Sequence, residues 1–182
     1  MLKPKSFIEA GLEPVVVSAA VVLPVMIAGS AAIGGLRINT SYSLPMGVYV
    51  RTSDPRAGLI EFCPEGRFAA ESSARGYRTP GFCPDGAVPL LKPVVAKPGD
   101  TVALSADGIA VNGRLLPRTA PVAKDRRGRA LEPYAAGFYR VAEGSVWVAS
   151  SYNRGSYDSR YMGPIPSRLI RARLNPLWTF SR

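Results

Sequence analysis

The alternation of apolar and polar positions divides this chain into one long apolar run and a longer region of short alternating segments. Residues 15–36 form the apolar run, which carries no charged side chain. At 1.5 Å per residue, a helix of this length covers roughly 33 Å, enough to cross a hydrocarbon core of about 30 Å. The pattern predicts a transmembrane anchor at residues 15–36, a short N-terminal cytoplasmic segment at residues 1–14, and a separate domain at residues 37–182.

A cleaved signal peptide is the alternative interpretation of the apolar run. Lys3 and Lys5 supply a basic start, and the small residues from Ala28 to Ala31 offer a cleavage site. The apolar run continues beyond these small residues to full spanning length, which favours a retained anchor. Under either interpretation, we expect the rest of the chain to be exported.

The alternating segments after residue 37 predict a mostly β domain. They are short, rich in Val, Ile and Tyr, and separated by Gly, Pro or Asn turns, as strands usually are. Asn112-Gly113 between two apolar runs predicts a hairpin, and Pro93 predicts an edge position or a bulge in its strand. Residues 64–77 predict one or two helical turns. The predicted strands are 48–52, 58–63, 90–95, 101–105, 108–116, 137–141, 145–150 and 168–174.

The net charge of +10 raises the question of a nucleic-acid partner, but the basic residues are scattered along the chain. Only residues 124–129, with the sequence KDRRGR, form a dense cluster, and this cluster lies in a predicted loop. It is consistent with a solvated loop, with binding to anionic lipid, or with binding to an acidic partner. No recognisable nucleic-acid module accompanies it, so we expect no nucleic-acid partner.

Histidine is absent from the sequence, which excludes a Ser-His-Asp triad, a Cys-His dyad and any histidine-ligated metal. We therefore expect neither a metal nor a cofactor. Cys63 and Cys83 are each followed by proline. They form either a pair of buried thiols or a disulfide, which an exported protein favours and which would close a loop of about 20 residues.

A serine nucleophile in this chain needs a base other than histidine. Ser41 and Ser43 directly follow the apolar run, and Lys92 lies between apolar neighbours in a predicted strand. Burial lowers the pKa of a lysine because it penalises the charged form, so a buried lysine can act as a base. Lysine on an edge strand also discourages aggregation. The pattern alone leaves both interpretations of Lys92 open, whereas Lys97 lies in turn-like sequence and is expected to be exposed.

Three separated motifs combine serine, lysine and acidic residues with glycine and proline. The first is the NTSYSLPMGVY sequence at residues 39–49, which follows the apolar run. The second is LLKPVVAKPGDTV at residues 90–102, and the third is SYNRGSYDSRYMG at residues 151–163. These motifs resemble those of type I signal peptidases, most closely the TraF-type peptidases of conjugative transfer systems. They occur in the family's order and span about residues 38–166.

This resemblance implies a role for each matching residue. Ser43 corresponds to the nucleophile and Lys92 to the general base. Ser41 corresponds to a hydroxyl that helps to bind the oxyanion, together with the backbone N–H of Ser43. Ser156 corresponds to the serine that holds the lysine amine, and Asp158 and Arg160 to a supporting ion pair. The sequence departs from the general family at Leu44, where methionine is common, and in the spacing of the third motif before Ser156.

The resemblance also implies a fold and a function. The fold is the β-rich catalytic domain shared by signal peptidases and LexA-like proteins. The activity is removal of signal peptides from preproteins, and in the TraF-type branch the substrate is a pilin precursor that is processed and perhaps cyclised. The implied location is a bacterial inner membrane, in contact with lipid, with the catalytic domain on the periplasmic side. The rival hypotheses are a cytosolic LexA-like protein, disfavoured by residues 15–36, and an anchored non-catalytic β-domain that serves a transfer or secretion complex.

Overall fold

The computed structural model describes residues 35–180. The chain divides into two units, Met1–Arg37 and Ile38–Arg182, and the second contains nearly all of the described residues. The predicted N-terminal segment and all but the end of the predicted anchor lie outside the described residues. Within residues 35–180, no helix is long and apolar enough to span a bilayer.

Strands dominate the described part of the chain, which confirms the prediction of a mostly β protein. The strands are β1 (Leu36–Asn39), β2 (Met46–Thr52), β3 (Leu59–Phe62), β4 (Leu90–Ala96), β5 (Thr101–Ser105), β6 (Gly108–Val111), β7 (Arg114–Leu115), β8 (Gly137–Arg140), β9 (Ser145–Val148), β10 (Ile165–Pro166) and β11 (Ile170–Phe180). Residues 35–180 also contain two α-helices, α1 (Gly66–Ala74) and α2 (Ser159–Met162), and the 3-10 turn Ser167–Leu169.

The strands form a seven-stranded sheet in the order β1-β2-β11-β3-β4-β9-β10 and a four-stranded sheet in the order β7-β6-β5-β8. β11 is antiparallel to both β2 and β3, and β3 is antiparallel to β4. β2 and β11 approach closely at Gly47, whose φ is +152° and where a Cβ would lie 2.1 Å from the Trp178 carbonyl oxygen. Only glycine fits at this position.

Three clusters of buried apolar side chains hold the elements together. The largest joins β3, β4, β9 and α2 through residues that include Ile60, Phe62, Val148 and Tyr161. A second lies against the four-stranded sheet around Trp147. The third contains Leu44, Tyr49, Leu91 and Leu174 and therefore fixes the segment between β1 and β2 to β4 and β11. Leu44, the residue after Ser43, belongs to this third cluster.

Several local predictions can be compared directly with the structure. The Asn112-Gly113 hairpin is confirmed, since β6 and β7 pair antiparallel and both turn residues have positive φ. β4, the strand that contains Pro93, lies between β3 and β9, so the edge position was wrong. The bulge alternative fits, because the β4–β9 register shifts between Val94 and Ala96. Pro93 lacks an N–H donor but still accepts a hydrogen bond through its carbonyl, from Ala149 N–H at 3.2 Å.

Other elements differ from the predicted pattern. The strand predicted at residues 168–174 begins at Ile170 and continues to Phe180, with a register shift beside Pro176. The predicted strands at 137–141 and 145–150 exist, but β8 pairs with β5 while β9 pairs with β4 and β10. The turn between them therefore connects two different sheets. Periodicity along one strand does not encode its partner, which long-range packing decides.

Cys63 and Cys83 form a disulfide, which confirms the bridge over the two-thiol alternative. The bridge encloses α1, which at nine residues is slightly longer than the one or two turns predicted. The buried side chain of Arg78 holds the same loop together. It donates to Ser72 Oγ at 2.9 Å and to the Ala69 carbonyl at 3.0 Å, and it forms an ion pair with Asp85.

Candidate active site

Asn39 organises the turn that carries Ser43, between β1 and β2. Its buried side-chain amide donates from Nδ2 to the carbonyls of Ser41 at 3.2 Å, Leu44 at 3.4 Å and Pro45 at 3.0 Å. Its Oδ1 accepts from the N–H of Ser41 at 3.2 Å and from Ser41 Oγ at 2.8 Å. One amide side chain thus forms five hydrogen bonds in this turn, which lies between two strands.

Two further contacts fix the position of Ser43 within this turn. The next residue, Leu44, is buried in the third apolar cluster. The hydroxyl of Ser150, a fully buried residue after β9, donates to the carbonyl oxygen of Ser43. The Ser43 side chain itself is only partly buried. It is therefore held from behind and open on one side.

Lys92 lies in the middle of the seven-stranded sheet, opposite Ile60 of β3. Its relative exposure is only 3%. Its Nζ lies 2.6 Å from Ser43 Oγ and 2.8 Å from Ser156 Oγ. An edge-strand role against aggregation needs an exposed side chain at the rim of a sheet, so that interpretation of Lys92 was wrong.

Burial controls the protonation of Lys92. Removal of the ammonium from water lowers the pKa of Lys92 from its ordinary value to about 8, while Asp158 raises it and Arg160 lowers it. Because Asp158 and Arg160 form an ion pair, their effects on the amine oppose one another, and desolvation dominates. A substantial neutral fraction of the amine is thus present at mildly alkaline pH, whereas an exposed lysine would be almost entirely charged.

Ser156 and the Asp158–Arg160 pair form the floor of the site. Arg160 Nε donates to Asp158 Oδ1 and its Nη2 to Asp158 Oδ2, both at 2.8 Å, and neither side chain is exposed. The Nη2 of Arg160 also donates to the Ser156 carbonyl at 3.0 Å, and its Nη1 to the Arg154 carbonyl at 2.7 Å. The guanidinium therefore supports the loop that presents Ser156 to Lys92.

Asn153 completes this loop in spite of the shortened spacing seen in the sequence. Its Oδ1 accepts from Gly155 N–H at 2.9 Å, and its carbonyl accepts from Ser156 N–H at 3.1 Å. The result is a tight turn of the kind that Asn favours. Ser156 reaches the Lys92 amine in this geometry.

Among the described residues, Ser41 differs from Ser156 in forming no hydrogen bond with the Lys92 amine. It is exposed, and its hydroxyl donates to Asn39 Oδ1. The structure brings together the side chains of Ser43, Lys92, Ser156, Asp158 and Arg160, and it leaves the Ser41 hydroxyl engaged in the turn. To bind an oxyanion, this hydroxyl would have to exchange its acceptor.

Sequence reasoning assigned no role to Asn39 or Ser150. Asn39 is the first residue of the first motif. A polar side chain at the end of an apolar run could have indicated a structural role for it. Ser150 had no comparable signal, because a serine at the end of a strand usually faces solvent. Its burial follows from the way β9 ends beside the Ser43 turn, which is a long-range feature.

This arrangement of serine and lysine on a β-rich fold agrees with the result of a family comparison. The family model described as "Signal peptidase, peptidase S26" matches residues 8–178. The chain therefore belongs to the signal peptidase family of serine peptidases, peptidase S26, and the resemblance drawn from its motifs is confirmed.

Two curated relatives show which branch of the family the chain resembles. The chain is 37% identical over 168 residues to the plasmid transfer protein TraF of Escherichia coli, covering 86% of this chain and 94% of that protein. It is also 37% identical over 153 residues to the conjugal transfer protein TraF of Agrobacterium fabrum (strain C58), covering 81% and 85% of the two chains. Within the family it is thus of the TraF type.

A solved structure also matches. It is a signal peptidase I from Enterococcus faecalis V583, with a TM-score of 0.37, 18% sequence identity and coverage of 69% of this chain and 99% of that one.

Proposed function

We propose that this protein is a membrane-anchored serine endopeptidase that removes signal peptides, with Ser43 as the nucleophile and Lys92 as the general base. The observation that carries the proposal is the placement of a buried lysine amine 2.6 Å from the hydroxyl of a partly buried serine. A lysine is seldom buried without a partner. Here its hydrogen-bond partners are two serine hydroxyls, one of which is open to a substrate.

Acylation follows from this geometry. The neutral Lys92 amine donates to Ser156 Oγ, which directs its lone pair toward the hydroxyl proton of Ser43. Ser43 Oγ attacks the scissile carbonyl carbon as Lys92 takes that proton. The resulting ammonium then protonates the leaving amine as the C–N bond breaks, and an ester to Ser43 remains.

Deacylation repeats the proton transfers with water. Lys92 takes a proton from the water that attacks the ester, and it returns the proton to Ser43 Oγ as the acid product leaves. An amine in place of water would join the acyl group to a new N-terminus, which is the cyclising outcome suggested by the TraF-type resemblance. Both routes use the same two side chains.

Stabilisation of the oxyanion is assigned to the backbone N–H of Ser43 and the hydroxyl of Ser41. One such donor contributes about 3 kcal/mol to lowering the barrier in serine peptidases. The network around Asn39 supports this assignment for the backbone donor, because it fixes the turn in which the Ser43 N–H lies. For Ser41, the proposal requires rotation of the hydroxyl from Asn39 toward the substrate.

An extended substrate is expected to add beside β4. The register between β4 and β9 includes only Val94 and Ala96, so no β9 residue pairs with the part of β4 that contains Leu91 and Lys92. Backbone groups along this part of the strand can pair with a peptide, as in β-strand addition. Small side chains at the positions one and three before the cut are expected to fit.

The proposal also includes a membrane anchor, a cellular location and a substrate. Residues 15–36 hold the enzyme in a bacterial inner membrane with its catalytic domain in the periplasm, where exported preproteins present their cleavage sites. Tethering raises the effective concentration of the enzyme at that surface. The relatives are named as plasmid and conjugal transfer proteins, and the resemblance of the motifs to TraF-type peptidases points to a pilin precursor as the preprotein.

Cleavage of a preprotein by the purified full-length chain at pH 8.5 tests the proposal. We expect the wild type to release the signal peptide, and Ser43→Ala and Lys92→Ala each to reduce the rate by at least about 10³-fold. The matched control is Lys97→Ala, since Lys97 is an exposed lysine five residues further on, and it should retain full activity. Cleavage that persists in Lys92→Ala would exclude Lys92 as the base.

A further inference from the structure

Hydrogen bonds hold the basic loop at residues 124–129 in a defined conformation. Its ends are held by the bridge between Lys124 and Ala130 and by a hydrogen bond from Leu131 N–H to the Ala123 carbonyl at 2.9 Å. Within the loop, Asp125 accepts from the N–H groups of Arg127 at 2.9 Å and Arg129 at 3.0 Å. These bonds fix the backbone of the loop.

Asp125 also fastens the loop to the rest of the domain. The hydroxyl of Tyr77 donates to Asp125 Oδ2 at 2.6 Å, and the Nε of Arg129 donates to the same oxygen at 2.7 Å. A second bond joins Arg129 Nη2 to the Arg75 carbonyl at 3.0 Å. Asp125, the one acidic residue among residues 124–129, is therefore bound by Tyr77 and Arg129.

Three cations of the loop face outward. Lys124, Arg126 and Arg127 are all exposed. Within residues 35–180, no carboxylate lies at salt-bridge distance from any of the three. The loop thus presents unneutralised positive charge on a fixed backbone, which is suited to binding an anionic group.

Arg126 places part of this positive charge near the candidate active site. Its guanidinium carbon lies 5.3 Å from the centre of the Tyr42 ring. Tyr42 directly precedes Ser43 in the turn that carries the nucleophile. The guanidinium is therefore within about 15 Å of Ser43, the length of four or five residues of an extended peptide.

We propose that Arg126, with Lys124 and Arg127, forms a cationic subsite that binds a carboxylate side chain of the polypeptide substrate, within about five residues of the scissile bond. This inference rests on the proposed peptidase function and specifies its substrate class. The contact of Arg126 with the nucleophile turn favours a peptide ligand, because any chain bound for attack by Ser43 passes beside that turn. An arginine can also engage a carboxylate through two parallel hydrogen bonds.

The test compares two preproteins that differ only in Glu or Gln at positions within five residues of the cleavage site. At low salt, we expect kcat/KM of the wild type to be about three- to fivefold higher for the Glu substrate, the range of one partly exposed ion pair. Arg126→Gln should bring the ratio toward one, and Arg126→Lys should retain most of it. Arg114→Gln, which removes an exposed arginine from the four-stranded sheet, is the matched control and should leave the ratio unchanged.

A binding measurement separates failure of this inference from failure of the peptidase proposal. Full-length Ser43→Ala protein should bind a fluorescent Glu peptide more tightly than the Gln peptide, and this difference should disappear when Arg126→Gln is added. Equal affinities at every position scanned would overturn the subsite, whether or not the wild type cleaves. So would an Arg126→Gln effect confined to binding of phosphatidylcholine vesicles that contain phosphatidylglycerol, because the loop would then bind lipid.

Discussion

Asn39 lies outside the candidate catalytic pair, Ser43 and Lys92, but holds the turn that carries Ser43. Its amide satisfies three carbonyls and accepts two hydrogen bonds within the turn that holds Ser43. Replacement by alanine removes all five bonds and lets the turn adopt other conformations. A shift of about 1 Å in the position of the nucleophile is enough to cost on the order of a hundredfold in rate.

We therefore expect Asn39→Ala to lower kcat by at least about tenfold while changing KM little, measured by steady-state cleavage of a preprotein. Asn112→Ala is the matched control. It removes hydrogen bonds to Asp100 and Thr101 in the four-stranded sheet and should lower stability without lowering kcat. Equal effects of the two variants on kcat would show that Asn39 acts only through overall stability.

At the scale of elements, the buried ion pair couples α2 to the loop that presents Ser156. Asp158 caps α2, and Arg160 lies in its first turn, with both side chains fully buried. Removal of one partner from a buried pair leaves an uncompensated charge, which costs about 3–5 kcal/mol. The pair is thus a structural requirement for the site as well as an influence on the pKa of Lys92.

Asp158→Ala should accordingly lower the free energy of unfolding by about 3–5 kcal/mol in denaturant titrations. Arg168→Gln breaks a comparable ion pair, between Arg168 and Glu65, whose side chains are 64% and 52% exposed. This control should cost less than about 1 kcal/mol. A small loss of stability for Asp158→Ala would mean that Arg160 finds other partners or water.

The disulfide constrains a second element, the loop that contains α1. Cys63 and Cys83 are separated by 20 positions, and closure of a loop of that length contributes about 3 kcal/mol in the chain-entropy model. The double variant Cys63→Ala and Cys83→Ala should lose about that much stability in denaturant titrations, and reduction of the wild type should have the same effect. Unchanged stability in either experiment would contradict the chain-entropy prediction. Arg78 should keep the loop folded in both cases, as resistance to limited proteolysis would show.

At the scale of the whole molecule, the sequence predicted the class of fold from a local signature, and the motif resemblance predicted that Ser43 and Lys92 lie close together. Strand alternation is visible within five or six residues, and Lys92 stands out among apolar neighbours. The identity of the pairing strands was not predictable in this way, as β8 and β9 illustrate. The same limit applies to Ser150 and Arg126, which reach the Ser43 turn only through contacts distant in sequence.

The role of Ser41 shows a different limit. The motif resemblance implies an oxyanion donor, whereas the structure shows a hydroxyl bonded to Asn39. A sequence motif identifies the serine but not the hydrogen bond that its hydroxyl forms. A bound substrate competes with Asn39 for the hydroxyl of Ser41. The roles assigned to Ser41 and to the other residues of the site therefore remain predictions for kinetic experiments.

Titration of the Lys92 amine by NMR tests the central claim most directly, with nitrogen-labelled lysine and Lys92→Met to assign the signal. Burial lowers the pKa of Lys92 to about 8, so the amine should lose its proton with a midpoint near pH 8. The kcat/KM for cleavage should fall about tenfold per pH unit below that midpoint, because only the neutral amine accepts the proton of Ser43. A midpoint above pH 10, the value of an exposed lysine, would contradict the account.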